Sequence, residues 1–171
     1  GTYQLLAKHL GINKIHLLVG GSMGGYQALE WSLAQPSLIE QLFLLVTSAR
    51  ESSWRIAIHT AQRMAIEADG TFEQSFDKAG EKGLKAARAI GMLTYRNPHI
   101  YEDKQRDEAT NKLDDFKASS YIEYQGNKLA KRFNAFSYCI LTKAMDTHNL
   151  ARSRDKTIEE ILQSISQRTL I

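Results

Sequence analysis

The sequence predicts an α/β fold in which a strand–helix–strand unit is followed by a long, mainly helical segment. Two apolar runs, residues 15–19 and 41–46, have the length of strands and no polar alternation, which is typical of parallel strands covered on both faces. The chain after the first run is predicted to be a helix up to about Gln35, before Pro36. Strand, helix and strand at this spacing form a βαβ unit with a right-handed crossover.

The segments on either side of the βαβ unit are predicted to be mostly helical. Residues 2–10 indicate a helix closed by Gly11 as its C-terminal cap. Ser52 or Ser53 can cap the first helix after the unit, and Gly126 is expected to break a later one. A third strand is predicted to open at residues 169–171. Further helices are expected over 52–68, 83–95, 119–148 and 157–167, with a solvated polar segment at 103–115.

This layout predicts three parts of unequal size. Residues 1–50 would be part of an α/β core, residues 51–167 a helical insertion, and residues 168–171 the start of the returning core strand. Two strands and a stub are too few for a stable parallel sheet, which needs several strands and cover on both faces. We therefore expect the sequence to be the middle of a larger α/β protein.

The composition argues against several classes of protein. The 171 residues suffice for about one domain, and 43% hydrophobic with 24% charged residues is ordinary for a globular chain. The net charge of +3 is mild and its basic residues are scattered, so nucleic-acid binding is not expected. No apolar run predicts a membrane span or a signal peptide, and a cytoplasmic location is the expectation. Cys139, the single cysteine, is predicted to be a buried, inert thiol, and no metal site is expected.

The most informative motif is the glycine-rich run at residues 20–25, between the first strand and its helix. Gly20-x-Ser22-x-Gly24 at a strand-to-helix turn is the pattern of a nucleophile elbow. The turn is so tight that its flanking positions tolerate little or no side chain. It holds the serine hydroxyl exposed beside a helix N-terminus, which favours developing negative charge. The glycines fit neither a P-loop nor a dinucleotide-binding loop.

Ser22 needs a histidine base, usually oriented by a carboxylate, to act as a nucleophile. His148 follows Asp146 by two residues, but neighbours at that spacing on a helix do not face each other. In chains with this elbow the acid and the base follow the serine, on loops after later strands. We therefore expect both beyond Ile171, and none of the five histidines is predicted to be the base.

Arg96 is the second candidate site residue. It stands at the predicted end of a helix, beside a proline turn, where a guanidinium can hold a carboxylate with two hydrogen bonds. A surface arginine or a helix cap is the alternative that the residues alone leave open.

Together these segments resemble the homoserine O-acetyltransferases, a family of the α/β-hydrolase superfamily. The resemblance begins at the elbow and its helix, residues 20–31, and continues through Met92-Leu93-Thr94-Tyr95-Arg96. It extends in order over residues 120–129, 132–135 and 141–149, and so spans nearly the whole chain.

The resemblance implies a ping-pong reaction in methionine biosynthesis, in which a serine takes an acetyl group from acetyl-CoA and passes it to the hydroxyl of L-homoserine. Ser22 would form the acyl-enzyme, and the backbone N–H of Met23 would bind the oxyanion. Arg96 would hold the homoserine carboxylate. The helical insertion would be the lid that shapes the active-site tunnel and carries the contacts of a homodimer. Acetyl-CoA is the implied co-substrate, with no bound cofactor.

The resemblance leaves several alternatives open. The family's second oxyanion donor, its triad aspartate and its triad histidine have no counterpart in this chain, so we expect the isolated 171 residues to be inactive. Homologues also use succinyl-CoA or acylate serine. An α/β-hydrolase esterase shares the elbow, and a non-catalytic helical dimerisation module is the hypothesis from a different class.

Overall fold

The computed structural model describes residues 1–171 and contains a parallel sheet and eight helices. The strands are β1 (Leu18–Gly21), β2 (Gln41–Leu45) and β3 (Arg168–Leu170), hydrogen-bonded in the order β1-β2-β3. The helices are α1 (Thr2–His9), α2 (Met23–Ala34), α3 (Ser53–Glu67), α4 (Glu81–Tyr95), α5 (Pro98–Gln105), α6 (Lys117–Ala130), α7 (Ala135–Asp146) and α8 (Ile158–Gln163). None of them is both long and apolar enough to cross a membrane.

The chain divides into two compact units. We call Gly1–Glu51 with Thr147–Ile171 the sheet unit, and Ser52–Asp146 the helical unit. The sheet unit therefore includes α8 and the turns before it, which the sequence had grouped with the insertion.

The two connections between the units leave the sheet unit side by side. Arg50 and Asn149 form an antiparallel bridge. The Glu51 N–H donates to the carbonyl oxygen of His148 at 3.0 Å, and the Leu150 N–H donates to that of Ala49 at 2.9 Å. The segment that departs and the segment that returns thus form a short two-stranded stem.

The sheet unit is built around its central strand. Leu42 and Leu44 of β2 are buried, whereas Val19 of β1 and Leu170 of β3 are exposed. Both ladders are parallel, as the βαβ pattern predicts. The buried core combines α2, β2 and the returning segment: Ala28, Leu29, Ile39, Leu42, Leu44, Leu150 and Ile161.

The predicted position of the first strand was wrong. Only Ile15 pairs early, in an isolated bridge with Ile39, and the ladder itself runs from Leu18 to Gly21. The ladder reaches the glycines because they pair with the end of β2, Gly21 opposite Leu45. An apolar run marks where side chains are buried, whereas a ladder depends on a partner strand that the run does not specify.

The helical unit packs α3, α4, α6 and α7 around one core, formed by Ile66, Leu84, Ala87, Leu129, Ala135 and Cys139. Cys139 is buried, as predicted, and burial raises the pKa of its thiol. The prediction that Gly126 breaks a helix was wrong, because α6 continues through it. A Cβ at Gly126 would lie 3.0 Å from the Lys85 carbonyl oxygen, so the glycine lets α6 approach α4 closely.

Capping residues define several of the helix ends. Ser52, one of the two predicted caps, is the N-cap of α3. Its hydroxyl accepts a hydrogen bond from the Arg55 N–H at 3.2 Å. Gly11 follows α1 with φ of 66°, the conformation of a C-terminal cap glycine. Thr157 and Glu160 form a capping box at the start of α8, which ends earlier than the predicted 157–167.

Candidate active site

Ser22 occupies the turn between β1 and α2 with φ of 51° and ψ of −122°. This backbone conformation is strained for any residue with a side chain, and such strain persists only where the surroundings enforce it. The Ser22 N–H donates to the carbonyl oxygen of Leu45, the last residue of β2, at 2.9 Å. The serine is therefore presented at the carboxyl edge of the sheet, as the elbow motif predicts.

Two glycines are sterically required at this turn. A Cβ at Gly20 would lie 2.5 Å from the carbonyl oxygen of Gly24 and 2.8 Å from the Cα of Gly25. A Cβ at Gly25 would overlap the side chain of Thr47, 2.5 Å from its Cβ and 2.7 Å from its Cγ2. Gly24 has nothing within 4 Å. The tight position after the serine is therefore Gly25, one residue beyond the last glycine of the Gly20-x-Ser22-x-Gly24 pattern.

The residues that follow β2 support the turn from the neighbouring strand. The Thr47 hydroxyl donates to the carbonyl oxygen of Ser22 at 3.0 Å, and the Thr47 side chain packs against Gly25. Val46, just before it, has φ of 49°, which is unusual for a β-branched residue. No spacing in the sequence pointed to this contact, because it depends on the register between β1 and β2.

The start of α2 supplies the backbone groups of the site. The Ser22 carbonyl oxygen also accepts the N–H groups of Gly25 at 2.9 Å and Tyr26 at 3.3 Å. Met23 is the first residue of α2, and N–H groups in the first turn of a helix have no acceptor within it. The partial positive charge of the helix N-terminus lies at the same place. This arrangement can bind an anion or a developing oxyanion.

The histidines of the sheet unit do not contact Ser22. His148 stacks on Tyr26, with ring centroids 3.8 Å apart, and its Nε2 lies 2.9 Å from the Ser48 carbonyl oxygen. Burial lowers the pKa of His148, which favours the neutral ring. His16 lies between Glu40 and Gln41, 3.0 Å and 3.1 Å from them. No histidine of this unit therefore provides the base that Ser22 requires.

Asp146 is engaged within the helical unit. Its carboxylate lies 2.6 Å from Nδ1 of His59 and 2.6 Å from a guanidinium nitrogen of Arg63, and all three side chains are largely buried. The Asp146-x-His148 spacing therefore forms no dyad, as helical geometry predicted. The buried ion pair links α3 to α7.

Arg96 follows the last residue of α4 and borders a cavity of about 410 Å³. The cavity is lined by Arg96, Ile100, Tyr101, Lys104, Gln105 and Tyr121. Two of these side chains are cationic and none is acidic. The buried Tyr121 hydroxyl has no hydrogen-bond partner. The cavity can accept an anionic group beside an aromatic wall.

Arg88, within α4, is a second arginine of interest that the sequence did not single out. Its guanidinium lies over the ring of Tyr95, 5.3 Å from the centroid. Arg88 is partly buried and forms no ion pair within the chain. Nearby Tyr138 has its pKa raised to about 12, mainly by burial. A partly buried guanidinium without an acidic partner is a candidate anion ligand.

Comparison with known proteins places this geometry in a family. The family model described as the alpha/beta hydrolase fold matches residues 3–171. The chain is 49% identical over 149 residues to a homoserine O-acetyltransferase of Cyclobacterium marinum. This match covers 87% of the chain and 42% of that protein. It is 42% identical over 159 residues to that of Chlorobaculum tepidum, covering 89% of the chain and 43% of the relative.

Solved structures show the same fold. A homoserine O-acetyltransferase from Staphylococcus aureus is 28% identical with a TM-score of 0.75, over 98% of this chain and 45% of that one. One from Bacillus anthracis has a TM-score of 0.86 at 20% identity, over 98% of this chain and 47% of that one. Esterase E22 has a TM-score of 0.83 at 20% identity, over 98% of this chain and 48% of that one.

The chain spans less than half the length of the curated relatives named above. The similarity covers 87% and 89% of this chain, which confirms the predicted resemblance to the homoserine O-acetyltransferases. With a strained serine between a parallel strand and a helix, and a family match over almost every residue, the chain belongs to the α/β-hydrolase fold family.

Proposed function

We propose that Ser22 is the acyl-accepting nucleophile of an acyltransferase that moves an acetyl group from acetyl-CoA to the hydroxyl of L-homoserine, a step of methionine biosynthesis. The single observation that carries the chemistry is the strained backbone of Ser22 at the end of β1, directly before a helix N-terminus. The transfer to homoserine rests on the similarity to proteins named homoserine O-acetyltransferase.

The proposed reaction has two balanced half-reactions. In the first, the Ser22 oxygen attacks the thioester carbonyl while a general base takes the hydroxyl proton. The carbon–sulfur bond then breaks and the proton passes to the thiolate. Free CoA departs, and an acetyl ester remains on Ser22. In the second, the homoserine hydroxyl loses its proton to the same base and attacks the ester. O-acetylhomoserine leaves, and the proton returns to Ser22.

Both half-reactions pass through a tetrahedral oxyanion, for which we propose the Met23 N–H as one donor. Its place at the first position of α2 supports this role, because that amide has no partner within the helix and lies at the positive end of the helix dipole. The base, its carboxylate partner and the second oxyanion donor are proposed to lie outside this chain.

For the homoserine carboxylate we propose Arg96, with its cationic cavity as support. Arg88 is the competing guanidinium, because it is less exposed than Arg96 and has no acidic partner in an ion pair. Arg96→Lys and Arg88→Lys each keep the charge but lose the two-pronged hydrogen bonding of a guanidinium. Whichever arginine binds the homoserine carboxylate, we expect its lysine variant to raise the KM for homoserine without slowing acylation by acetyl-CoA. An unchanged KM in Arg96→Lys would remove Arg96 from the site.

The experiment that tests the function is mass spectrometry of the intact gene product incubated with acetyl-CoA alone. We expect an acetyl group on the peptide that contains Ser22, discharged when homoserine is added, and none in Ser22→Ala. Ser32→Ala is a matched control, because that hydroxyl is buried in α2 and bonded to Leu29. A covalent acetyl group that persists in Ser22→Ala would overturn the proposal.

The alternative is an esterase, because the same fold also occurs in esterase E22. It differs in one measurable respect, since water and not homoserine would accept the acyl group. Acetate release at the same rate with and without homoserine would establish the esterase and exclude the transferase.

We further propose that the protein is a homodimer through its helical unit. Exposed apolar side chains of α3 and α7 support this: Trp54, Met64 and Ile140. The oligomeric state of Trp54→Ser and Ile140→Ser, measured by light scattering, tests it, and a dimer that survives both changes would exclude this surface. A helical dimerisation module without catalysis would dimerise in the same way but leave Ser22 unacylated.

A further inference from the structure

The Thr47 hydroxyl contacts the backbone of the elbow at one defined atom. It donates to the carbonyl oxygen of Ser22 at 3.0 Å. That oxygen belongs to the peptide unit that joins Ser22 to Met23, so the same unit carries the Met23 N–H at its opposite end. A peptide unit is planar and trans, and therefore an atom that fixes the direction of the C=O also fixes the direction of the N–H.

The position of Thr47 is itself held from both sides. Its side chain packs against Gly25, where a single added carbon would overlap it. One residue earlier, Val46 has φ of 49° although its side chain is 88% exposed and gains nothing from burial there. Two residues earlier, the Leu45 carbonyl accepts the Ser22 N–H at 2.9 Å. The strained residue thus turns the chain so that Leu45 and Thr47 hold the two sides of Ser22.

We propose that Thr47 is a positioning residue for the oxyanion site, acting through the Ser22–Met23 peptide unit. Its hydroxyl holds the unit in the orientation that aims the Met23 N–H at the reacting carbonyl. Donation to the C=O also polarises the unit and makes its N–H a stronger donor, as in other chains of hydrogen bonds. This role rests on the proposed function, because it requires Ser22 to be acylated.

The start of α2 does not require the hydrogen bond from the Thr47 hydroxyl. The Ser22 carbonyl oxygen already accepts the N–H groups of Gly25 and Tyr26, so α2 starts without Thr47. A merely structural role would change the stability of the protein and leave the acyl-enzyme alone. A positioning role would change how strongly the acyl carbonyl is polarised.

Thr47→Val and Thr47→Ser in the intact gene product separate these roles. Valine keeps the shape that packs against Gly25 and removes the hydroxyl, whereas serine keeps the hydroxyl and removes a methyl group. The measurements are the acylation rate of Ser22 by acetyl-CoA and by p-nitrophenyl acetate, and the infrared stretch of the ester carbonyl in the ¹³C-acetyl enzyme. The infrared readout is taken only on acylated, folded molecules.

For Thr47→Val we expect acylation to fall about tenfold, less than the ~100-fold or more that follows loss of an oxyanion donor itself. The KM for the acyl donor should stay unchanged, and the ester carbonyl should absorb at higher frequency because it is less polarised. Thr47→Ser should restore both values. Equal rates and equal carbonyl frequencies in all three proteins would overturn the inference and leave the proposed function standing. A wild-type protein without acyl-Ser22 would overturn both.

Discussion

The elbow of the sheet unit and the packing of α4 against α3 and α6 in the helical unit both depend on glycines. The groups that these glycines approach differ between the two regions. At the elbow, a Cβ on Gly20 would meet the backbone only four and five residues ahead, at Gly24 and Gly25. In the helical unit, a Cβ on Gly83 would lie 2.5 Å from the Cα of Ile66, on a different helix. The first contact is local in the chain and the second joins separate elements.

This difference explains why one region can be recognised from a motif and the other cannot. The elbow places Gly20, Ser22 and Gly25 within a few consecutive residues, so their order is informative. The helical unit distributes its constraints over helices far apart in the chain, and any close fit of the right volume can satisfy them. We therefore expect substitutions at the tight positions of the elbow to abolish acylation of Ser22, and substitutions in the helical unit to lower stability in proportion to the packing they disturb.

The sharpest test of the steric constraint at the elbow is Gly25→Ala against Gly24→Ala. The alanine at position 25 would overlap Thr47, so the turn must open and Ser22 must move. We expect Gly25→Ala to abolish acylation of Ser22, measured as the burst of p-nitrophenol from p-nitrophenyl acetate. Gly24→Ala has open space and lies in the first turn of α2, so it should react like the wild type. Similar behaviour of both variants would contradict the assignment of the tight position to Gly25.

The buried ion pair of the helical unit should give the largest loss of stability there. Asp146→Asn removes the charge that compensates the largely buried Arg63, and removal of one partner of a buried pair typically costs about 3–5 kcal/mol. Urea unfolding of the intact gene product measures the loss. Glu40→Gln, which breaks the exposed contacts with Lys14 and His16, should cost less than about 1 kcal/mol. Equal losses would show that the Asp146 carboxylate is solvated.

Gly83→Ala tests the close helix approach itself. The added methyl group would force α3 and α4 apart, since it meets the backbone of Ile66 and not a flexible side chain. We expect a loss of about 1–3 kcal/mol in urea unfolding, the usual range for overpacking. Gly70→Ala adds the same methyl group to open space and serves as the control. A stable Gly83→Ala protein would mean that these helices can shift without cost.

The smallest effect is expected from Asp69, at the turn after α3. Hydrogen bonds from the Gly83 N–H and from Thr71 lower the pKa of this carboxyl from 3.8 to about 2. A lowered pKa in the folded state means that the stabilisation is complete above pH 3.8 and is lost as the pH falls towards 2. Asp69→Asn should therefore flatten the acid limb of stability against pH, measured by thermal unfolding between pH 5 and 2. Asp77→Asn, at an exposed position, should leave the limb unchanged.

The sequence predicted the parts of the site that are local and missed those that depend on register. Ser22, its turn and α2 follow from consecutive residues. Thr47 could not be predicted, because its contact exists only when Gly21 pairs with Leu45. Gly126 was misjudged for the same reason, since a helix-interior glycine indicates either a break or a close neighbour, and Lys85 of α4 decides between them.

The candidate carboxylate ligands show the same limit. Arg96 was predicted from its place at a helix end beside a proline turn and from the family resemblance, while Arg88 becomes visible only once its guanidinium is seen over Tyr95. Sequence spacing places both arginines on α4 or at its end, but exposure distinguishes them, and exposure is set by the neighbouring helices.

The stem at Arg50 and Asn149 has a consequence for how such proteins diversify. Because the departing and returning segments are hydrogen-bonded neighbours within the sheet unit, the chain leaves for Ser52–Asp146 and comes back from it at adjacent positions. A cassette with adjacent ends can be lengthened, replaced or recombined without altering the register of β1 and β2. The proposed chemistry of Ser22 can thus be inherited unchanged while Arg88 and Arg96, the proposed carboxylate ligands, are exchanged as a block.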